Sequence, residues 1–491
     1  MNFHKISQPE DILKIKPFLD LYRKDFSDLT CPNFYMWRNL YPREYCIFDN
    51  TLIIREYSAT DDNDFRFYLP VGQNVEGAMK FIEHYCLNRH SPLIFSNLTL
   101  GEAQEVAAQY FYAEINYDRN WSDYVYSAED MRSFKGKKFA GQRNHINKFR
   151  KLYGEYQYHQ ITENNIDSVK AFFYKFGQSK HFSSQDELTE YNIRLLIFTE
   201  NVNEVTEKLL SMGFGTTLLN GVGGYITCGE EIISVAMGEK RGNTLYVCIE
   251  KANREYQGAY QVIVQEFAKH NTDDAVCFIN REEDMGKEGL RTSKLQYQPI
   301  EIKNKYWVTV DTLFREISSP VKICGERIEL NEITDDDAES FMRLYIDDEN
   351  NKYWGYNYKE DAPKVINADY FINFAKQMKK TREEYSVAVR ADGKFVGEAV
   401  FHNFDYFGNV ELGIRLLPEF QGKGFATDAV KIMTDYAKTT IGAKNIKMKC
   451  FHQNEKSIKM IKNAGFTEVS RDDKFIYFSF KQEERCSVYD K

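Results

Sequence analysis

The stretch that most constrains the fold runs from Glu411 to Val430, ELGIRLLPEFQGKGFATDAV. An apolar strand leads through a proline into the turn Gln-Gly-Lys-Gly, and an amphipathic helix follows. A glycine turn at a helix N-terminus presents unpaired backbone N–H groups and the positive end of the helix dipole to one point. Because glycine has no Cβ, a pyrophosphate can come close to such a backbone. The sequence therefore predicts an anion-binding loop between a strand and a helix.

This turn has the pattern Gln/Arg-x-x-Gly-x-Gly/Ala, which resembles the acetyl-CoA pyrophosphate loop of the GNAT superfamily of N-acetyltransferases. The elements predicted over about 324 to 480 also follow the order of that fold, with two early helices, an antiparallel meander, two strand–helix pairs and a final hairpin. Within the superfamily, the segment is most similar to the ribosomal-protein alanine and serine N-acetyltransferases. The motifs of this likeness are Tyr353-Trp354-Gly355, Glu411-Leu412-Gly413-Ile414, QGKGFAT, Asn454-x-x-Ser457 and Ala464-Gly465-Phe466.

The resemblance implies that this segment binds acetyl-CoA or another acyl-CoA. The backbone N–H groups of the loop would hold the pyrophosphate, and the end of the preceding strand would meet the pantetheine and the carbonyl oxygen. The residues predicted to bind the donor are Leu412, Ile414, Leu416, Gln421, Gly422, Lys423, Gly424, Phe425, Ala426, Thr427 and Asn454.

Acetyl transfer to an amine also needs a group that takes up a proton and, in some enzymes, an acid for the leaving thiolate. We expect Glu411 to be the general base, acting through water, because burial in an apolar strand would raise its pKa toward neutrality. The alternative is an ordinary edge-strand glutamate. Many acetyltransferases have a tyrosine where this chain has Ile461, so the resemblance leaves Ser457 as the candidate acid or as a small packing residue. A CoA thiol can also leave as the thiolate without an acid.

Aromatic residues follow an acidic run just before this domain's second helix. Acids attract an amine and aromatic rings pack against its stem, so Tyr353, Trp354 and Tyr356 are candidate acceptor-binding residues. A lid over the core is the alternative for the same cluster.

The N-terminal half carries a second resemblance, to the phosphatidylglycerol lysyltransferase C-terminal-like family, over most of residues 1 to 310. Among its motifs are Asp118-Arg119-Asn120, Ile249-Glu250-Lys251-Ala252, Gly258-Ala259-Tyr260-Gln261 and the run from Asn280 to Pro299, NREEDMGKEGLRTSKLQYQP. That family is similar to a tandem of two GNAT-like folds, and its best-known members transfer an aminoacyl group from tRNA to a lipid. Those members usually contain a membrane-spanning flippase region, which this sequence does not show.

Two stretches of the N-terminal half could form a polar site. Arg132 to Lys151 contains eight Lys or Arg and no acid, so it could hold phosphates, including those of aminoacyl-tRNA, or be a solvated helix face. Asn280 to Lys294 mixes acids and bases around two glycines, as a pocket or a surface salt-bridge network would. The candidate residues are Arg143, Asn144, Lys148, Glu250, Asn280, Arg281, Glu283, Asp284, Arg291 and Lys294.

The chain has 491 residues, too many for one core. We expect an α+β protein of three GNAT-like units, with mixed, mostly antiparallel sheets flanked by helices. The predicted divisions are 1–155 and 156–312 for the tandem pair, 313–325 for a linker around Ser318-Ser319-Pro320, 326–481 for the GNAT domain and 482–491 for a polar tail.

Composition and net charge limit the binding partners and the cellular location to be expected. The net charge of −9 argues against general adhesion to nucleic acid or to anionic membranes. No run of about 18 apolar residues and no signal-peptide core appears, and the nine cysteines lack a C-x-x-C pair, so we expect a cytoplasmic chain with reduced thiols. The histidines show no metal-ligand spacing, and no metal site is predicted.

The sequence as a whole predicts an acyltransferase whose C-terminal domain acetylates a primary amine of a protein N-terminus, an amino acid or a small amine. One alternative is aminoacyl transfer from tRNA by the N-terminal half. The other is a binding module that senses acyl-CoA and docks a partner without catalysis. The acceptor and the oligomeric state stay open.

Overall fold

The computed structural model describes residues 2–38, 41–57, 64–162, 164–178, 221–354, 359 and 367–480. Tyr356 and the predicted polar tail lie outside these residues. The chain divides into two compact units. The first holds the described residues of Met1–Phe81, Ile94–Glu105 and Ile115–Val308, and the second those of Ile82–Leu93, Val106–Glu114 and Thr309–Lys491.

The described residues up to 311 contain both helices and strands. The helices are α1 (Pro9–Leu19), α2 (Cys31–Met36), α3 (Val75–Leu87), α4 (Leu100–Ala107), α5 (Ala128–Ser133), α6 (Ala140–Tyr153), α7 (Ile166–Gln178), α8 (Ala259–Asn271) and α9 (Glu288–Gln296). The strands are β1 (His4–Lys5), β2 (Arg43–Phe48), β3 (Thr51–Tyr57), β4 (Phe65–Tyr68), β5 (Val71–Gly72), β6 (Leu93–Leu98), β7 (Tyr112–Tyr117), β8 (Asp123–Ser127), β9 (Gln157–Gln160), β10 (Gly221–Cys228), β11 (Glu231–Arg241), β12 (Thr244–Ala252), β13 (Phe278–Asn280), β14 (Glu301–Lys303) and β15 (Tyr306–Asp311).

These strands form two sheets. The first has the order β1-β2-β3-β4-β6-β15-β7, with β5 beside β3, and the second has the order β14-β8-β13-β12-β11-β10-β9. The hairpin between β2 and β3 turns at Asp49 and Asn50, both with positive φ, as the Asp-Asn pair predicts.

The division between the sheets differs from the predicted boundary at 155. Strand β8 and helices α5 and α6 precede residue 155, yet β8 lies between β14 and β13 of the second sheet. Phe139 directly precedes α6 and Phe149 lies within it. Both are buried in one cluster with Ile263 of α8. The chain therefore passes from the first sheet to the second between β7 and β8. Strand β8 belongs to the second sheet because it pairs with strands that lie more than 150 residues later in the sequence.

The C-terminal segment forms the third sheet. Its helices are α10 (Ala338–Ile346), α11 (Asp348–Asn351), α12 (Ala368–Lys380), α13 (Phe425–Thr439) and α14 (Glu455–Asn463). Its strands are β16 (Lys322–Cys324), β17 (Glu329–Glu332), β18 (Glu384–Ala391), β19 (Lys394–His402), β20 (Asn409–Leu416), β21 (Asn445–Phe451), β22 (Thr467–Arg471) and β23 (Phe475–Phe480). The order is β16-β17-β18-β19-β20-β21-β23-β22.

The two faces of this sheet are covered by different helices. Apolar residues of α13 and α14, among them Met433 and Ile461, pack with Val410 and Leu412 of β20 on one face. Phe341 and Phe371 of α10 and α12 cover the other. The three sheets, mostly antiparallel and flanked by helices, confirm the predicted fold class.

The segment predicted to be a linker, 313–325, is part of this third core. Leu313 and Val321 are buried in it, and β16 pairs with β17. Apolar side chains on both sides of Ser318-Ser319-Pro320 explain the difference, since their burial outweighs the turn chemistry between them.

Among the described residues, no helix is long and apolar enough to cross a membrane.

Candidate functional site

The two central parallel strands of the third sheet diverge. Strand β20 pairs with β21 only from Asn409 to Glu411, whereas its pairing with β19 continues to Leu416. Within the described residues, the β21 side of Leu412–Leu416 therefore has no strand partner. Its backbone N–H and C=O groups can bind an extended ligand in the way an added strand would.

The glycine loop lies at the end of the same strand. Gly422 and Gly424 have φ of 72° and 88°, values that favour glycine, and Gly424 is the N-cap of α13. Residues 421–424 are exposed. Since the first turn of the 15-residue helix leaves N–H groups without intrahelical partners, the loop has the geometry of an anion cradle.

Side chains around the loop hold it in place. Nε2 of Gln421 donates to the carbonyl oxygen of Leu416 at 3.1 Å and to Oδ1 of Asn350 at 2.8 Å, which ties the loop to the end of β20. Lys423 is exposed, with its ammonium 5.2 Å from the Phe420 ring. The remaining predicted loop residues, Phe425, Ala426 and Thr427, form the half-exposed first turn of α13.

Sequence reasoning missed Arg327, which lies before β17. Its guanidinium donates to the carbonyl oxygen of Lys423 at 3.3 Å, pairs with Asp428 and lies over the Phe425 ring. A second positive charge therefore stands beside the loop. No local signal marks Arg327, because it precedes its partners by about a hundred residues along the chain.

The face of β20 that points toward α10 carries the polar residues, as strand alternation predicts. Leu412 and Leu416 are buried on the opposite face and Ile414 is half-buried, so their predicted contribution to donor binding would come from the backbone. On the polar face, Arg415 forms a buried pair with Glu398, with Nε 2.8 Å from Oε2. The guanidinium carbon also lies 3.8 Å from the centre of the Tyr345 ring.

Glu411, the predicted base, is held by neighbours on three sides. Its Oε1 lies 3.2 Å from Nζ of Lys449, and its Oε2 accepts from Nδ2 of Asn403 at 2.9 Å. Nε2 of His402 lies 3.8 Å from Oε1. Burial lowers the pKa of His402, and Lys449 lowers it further while Glu411 opposes the shift. A neutral imidazole therefore stands beside the carboxylate.

Trp354 covers the strand next to this pair. A Cβ at Gly413 would lie 3.1 Å from Cη2 of Trp354 and 3.6 Å from Nε2 of His402, so the absence of a side chain lets the indole approach. Arg415 lies 4.6 Å from the Trp354 ring, and Tyr353 packs against Phe451 at 5.6 Å. Trp354 thus lies over the polar face of β20, and Tyr353 lies beside β21.

Helix α14 places the remaining C-terminal candidates. Asn454 is its N-cap, with Oδ1 accepting from the backbone N–H of Ser457 at 3.1 Å. Ser457 is half-buried in the first turn. Ile461, at the position of the tyrosine in many acetyltransferases, is buried in the core.

In the N-terminal half, the segment from Asn280 to Lys294 forms a closed network. The Asp284 carboxylate is fully buried, accepts from the Tyr124 hydroxyl and the Gly286 N–H, and pairs with Arg291, whose Nε and Nη2 lie 2.8 Å from its two oxygens. Arg291 also donates to Oδ1 of Asn120 at 2.7 Å. Although burial opposes the shift, these partners lower the pKa of Asp284 to about 2.

Because the folded-state pKa of Asp284 is depressed below the ordinary 3.8, its stabilising contribution is present above about pH 4 and is lost as the pH falls toward 2. We expect the free energy of unfolding to drop by about 2 kcal/mol over this window on account of Asp284. Urea denaturation at several pH values, followed by tryptophan fluorescence, would measure it. Asp284→Asn should remove this part of the pH dependence, and Asp167→Asn, at an exposed carboxyl of α7, should keep it. Equal slopes for all three chains would contradict the assignment.

The other candidates of this segment serve the same network. Lys294 donates to the carbonyl oxygens of Arg281, Glu282 and Glu283, and burial lowers its pKa to about 8. Arg281 pairs with Glu250 at 2.7 Å.

Two more acidic or amide candidates lie at its edge. Asn280 donates to the buried Asp123 at 2.9 Å, and Glu283 lies 3.6 Å from Lys305. Asn280, Asp284 and Lys294 of this segment are buried, whereas residues 285–290 are exposed.

The basic stretch from Arg132 to Lys151 does not form one site with the network around Asp284. Arg143 of α6 donates to the carbonyl oxygens of Phe134 and Gly136, which fixes the turn before the helix. Asn144 and Lys148 are exposed on the same helix. Arg132 and Lys138 pair with Glu129 and Asp130 of α5, so part of the positive charge is compensated.

Comparison with known proteins gives two matches along the chain. Residues 20–309, well over half of the sequence, match the family described as phosphatidylglycerol lysyltransferase, C-terminal. Residues 327–467 match the acetyltransferase (GNAT) domain. Both resemblances inferred from the motifs are confirmed.

Individual relatives agree with this division. The chain is 25% identical over 154 residues to the uncharacterized N-acetyltransferase YoaA of Bacillus subtilis, covering 31% of this chain and 86% of that protein. It is 27% identical over 142 residues to the uncharacterized N-acetyltransferase p20 of Bacillus licheniformis, covering 29% and 79%. A conserved protein of unknown function from Bacteroides thetaiotaomicron, solved by crystallography, shares 26% identity with a TM-score of 0.53, over 63% of this chain and 99% of that chain.

These matches confirm the expectation of an N-acetyltransferase enzyme, and the domain type implies an acyl-CoA donor. The chain belongs to the phosphatidylglycerol lysyltransferase C-terminal family, and it carries a GNAT acetyltransferase domain after that region.

Proposed function

We propose that the C-terminal domain transfers an acetyl group from acetyl-CoA to a primary amine of a protein N-terminus, an amino acid or a small amine. The observation that supports this most directly is the divergence of β20 from β21 beside the Gly422–Gly424 loop. The stretch of β20 that β21 leaves unpaired leads into the loop at the helix N-terminus, and an extended ligand that ends in phosphates needs both.

Each part of the donor has matching groups. The N–H groups from Gly422 to Thr427 would hold the pyrophosphate, with the charges of Lys423 and Arg327 beside them. The backbone of Leu412, Ile414 and Leu416 would hold the pantetheine. Gly422 and Gly424 have positive φ, which residues with a side chain adopt only with strain. Because glycine has no Cβ, the same two positions leave room for the ligand.

The acceptor would enter on the opposite side of the strand, over Gly413. Trp354 would pack against its stem, while the Glu411 and His402 pair would handle its proton. Ser457 at the start of α14 is our candidate for donating a proton to the thiolate, with Asn454 holding that turn. Acetyl-CoA supplies the activated acyl group, and the chain orients the two reactants and removes water from between them.

The test is release of the CoA thiol from acetyl-CoA by the whole chain across a panel of amines, with mass spectrometry of the acceptor. A reaction without amine controls for hydrolysis. We expect thiol release that depends on the amine, with one acetyl group added to the acceptor. Acetyl-CoA binding without turnover would favour the sensing module, and absence of binding would overturn the proposal.

For the N-terminal half, aminoacyl transfer from tRNA stays a prediction that rests on the family match. The cytoplasmic location also stays a prediction. The cysteines of the described residues are free thiols.

A further inference from the structure

We propose that His402, rather than Glu411, takes the proton that the acceptor amine loses when it attacks the acyl carbon, and that Glu411 stabilises the resulting imidazolium. The inference rests on the proposed acetyl transfer and assigns its proton acceptor.

Glu411 is already occupied. Lys449 contacts its Oε1 at 3.2 Å, and Asn403 donates to its Oε2 at 2.9 Å. Each oxygen of the carboxylate therefore already has a donor beside it, and a proton from the amine would compete with these donors. A carboxylate held in this way is suited to stabilise a neighbouring cation.

His402 lies beside Gly413, where the acceptor amine is proposed to enter. It is the last residue of β19 and the cross-strand neighbour of Glu411, so both side chains lie on the same face of the sheet. Its Nε2 lies 3.6 Å from the place of a Cβ on Gly413, on the side that Trp354 covers. Its side chain is 24% exposed, which leaves a path for the proton to water.

The charges around the ring suit a proton acceptor. Glu384 of β18 is the other cross-strand neighbour, Glu411 lies on β20 and Lys449 on β21, and Trp354 adds no charge. Burial and Glu398 raise the pKa of Glu384 to about 7, so this carboxyl carries only part of a negative charge at neutral pH. The imidazole starts neutral, because burial and Lys449 lower its pKa, and Glu411 stabilises the imidazolium once it forms.

The step balances as follows. The lone pair of the neutral amine forms the C–N bond, and the N–H proton moves to Nε2 of His402. The C–S bond breaks with its electron pair on sulfur, and the thiolate is protonated by Ser457 or by water. The imidazolium then returns its proton to solvent.

Reciprocal variants of the pair test this assignment. With His402→Gln we expect kcat to fall by roughly 10²- to 10⁴-fold, the range for loss of a positioned general base, with the calorimetric Kd for acetyl-CoA within about twofold. The acidic limb of the kcat/KM profile should disappear. With Glu411→Gln we expect a smaller fall in kcat and an acidic limb shifted to lower pH, since the imidazolium loses its stabilising charge.

The controls separate the possible failures. His145→Gln, an exposed histidine of α6, should behave as the wild type. Unchanged acetyl-CoA binding shows that the His402 and Glu411 variants are folded. If Glu411→Gln removes the acidic limb and His402→Gln keeps it, the assignment is overturned and Glu411 is the base. If the wild type itself fails to release the thiol, the proposed function fails before this inference is reached.

Discussion

Replacement of Gly424 by glutamate is expected to raise the Kd for acetyl-CoA by at least about 100-fold, or about 2.7 kcal/mol. Gly424 has φ of 88°, and a Cβ there would lie 2.9 Å from Nη2 of Arg327. The new side chain would strain the N-cap of α13, displace Arg327 and place a negative charge where the pyrophosphate should bind. Isothermal titration of acetyl-CoA into the whole chain measures the effect.

The matched control is Gly393→Glu. Gly393 lies in the turn between β18 and β19 with φ of 72°, and no atom lies within 4 Å of a Cβ placed there. This variant carries the same backbone strain and the same added charge away from the loop, so its acetyl-CoA affinity should equal that of the wild type. Equal affinities for the two variants and the wild type would contradict the position of the pyrophosphate.

Replacement of Glu398 by alanine is expected to lower the free energy of unfolding of the C-terminal domain by about 3–5 kcal/mol. The side chains of Glu398 and Arg415 are 1% and 3% exposed. Removing the carboxylate leaves the guanidinium buried between the rings of Tyr345 and Trp354 without its counter-charge. Chemical denaturation, with hydrogen–deuterium exchange to localise the loss to β19 and β20, measures it.

A surface pair in the same domain serves as the control. Glu419 and Arg343 are 2.7 Å apart, but their side chains are 45% and 55% exposed. Glu419→Ala should cost no more than about 1 kcal/mol, because water screens the pair and solvates the remaining arginine. If both alanine variants lose the same stability, Glu398 and Arg415 do not act as a buried pair. Since Arg415 also supports Trp354, Glu398→Ala should in addition raise the KM for the amine.

Features that a few neighbouring residues encode could be predicted from the amino-acid sequence. The loop from Gln421 to Gly424 and its helix, the hairpin at Asp392-Gly393 and the cap at Asn454 follow from glycine conformations, turn residues and side-chain capping. Alternation along β20 placed Glu411 and Arg415 on one face for the same reason. The two family resemblances rest on such local motifs.

Contacts between residues that are distant in the chain could not be predicted in this way. His402 lies beside Glu411 through the register of two strands, Arg327 reaches the loop from about a hundred residues earlier, and β8 joins the second sheet through partners late in the chain. Likewise, Asp284 and Arg291 are close in sequence, but they contact Tyr124 and Asn120, which lie more than 150 residues earlier in the chain. Hydrophobic periodicity and turn chemistry are properties of adjacent residues, whereas strand register, burial and charge compensation depend on the whole packed domain. Register and burial therefore determine that donors surround the Glu411 carboxylate and that the His402 imidazole lies beside it.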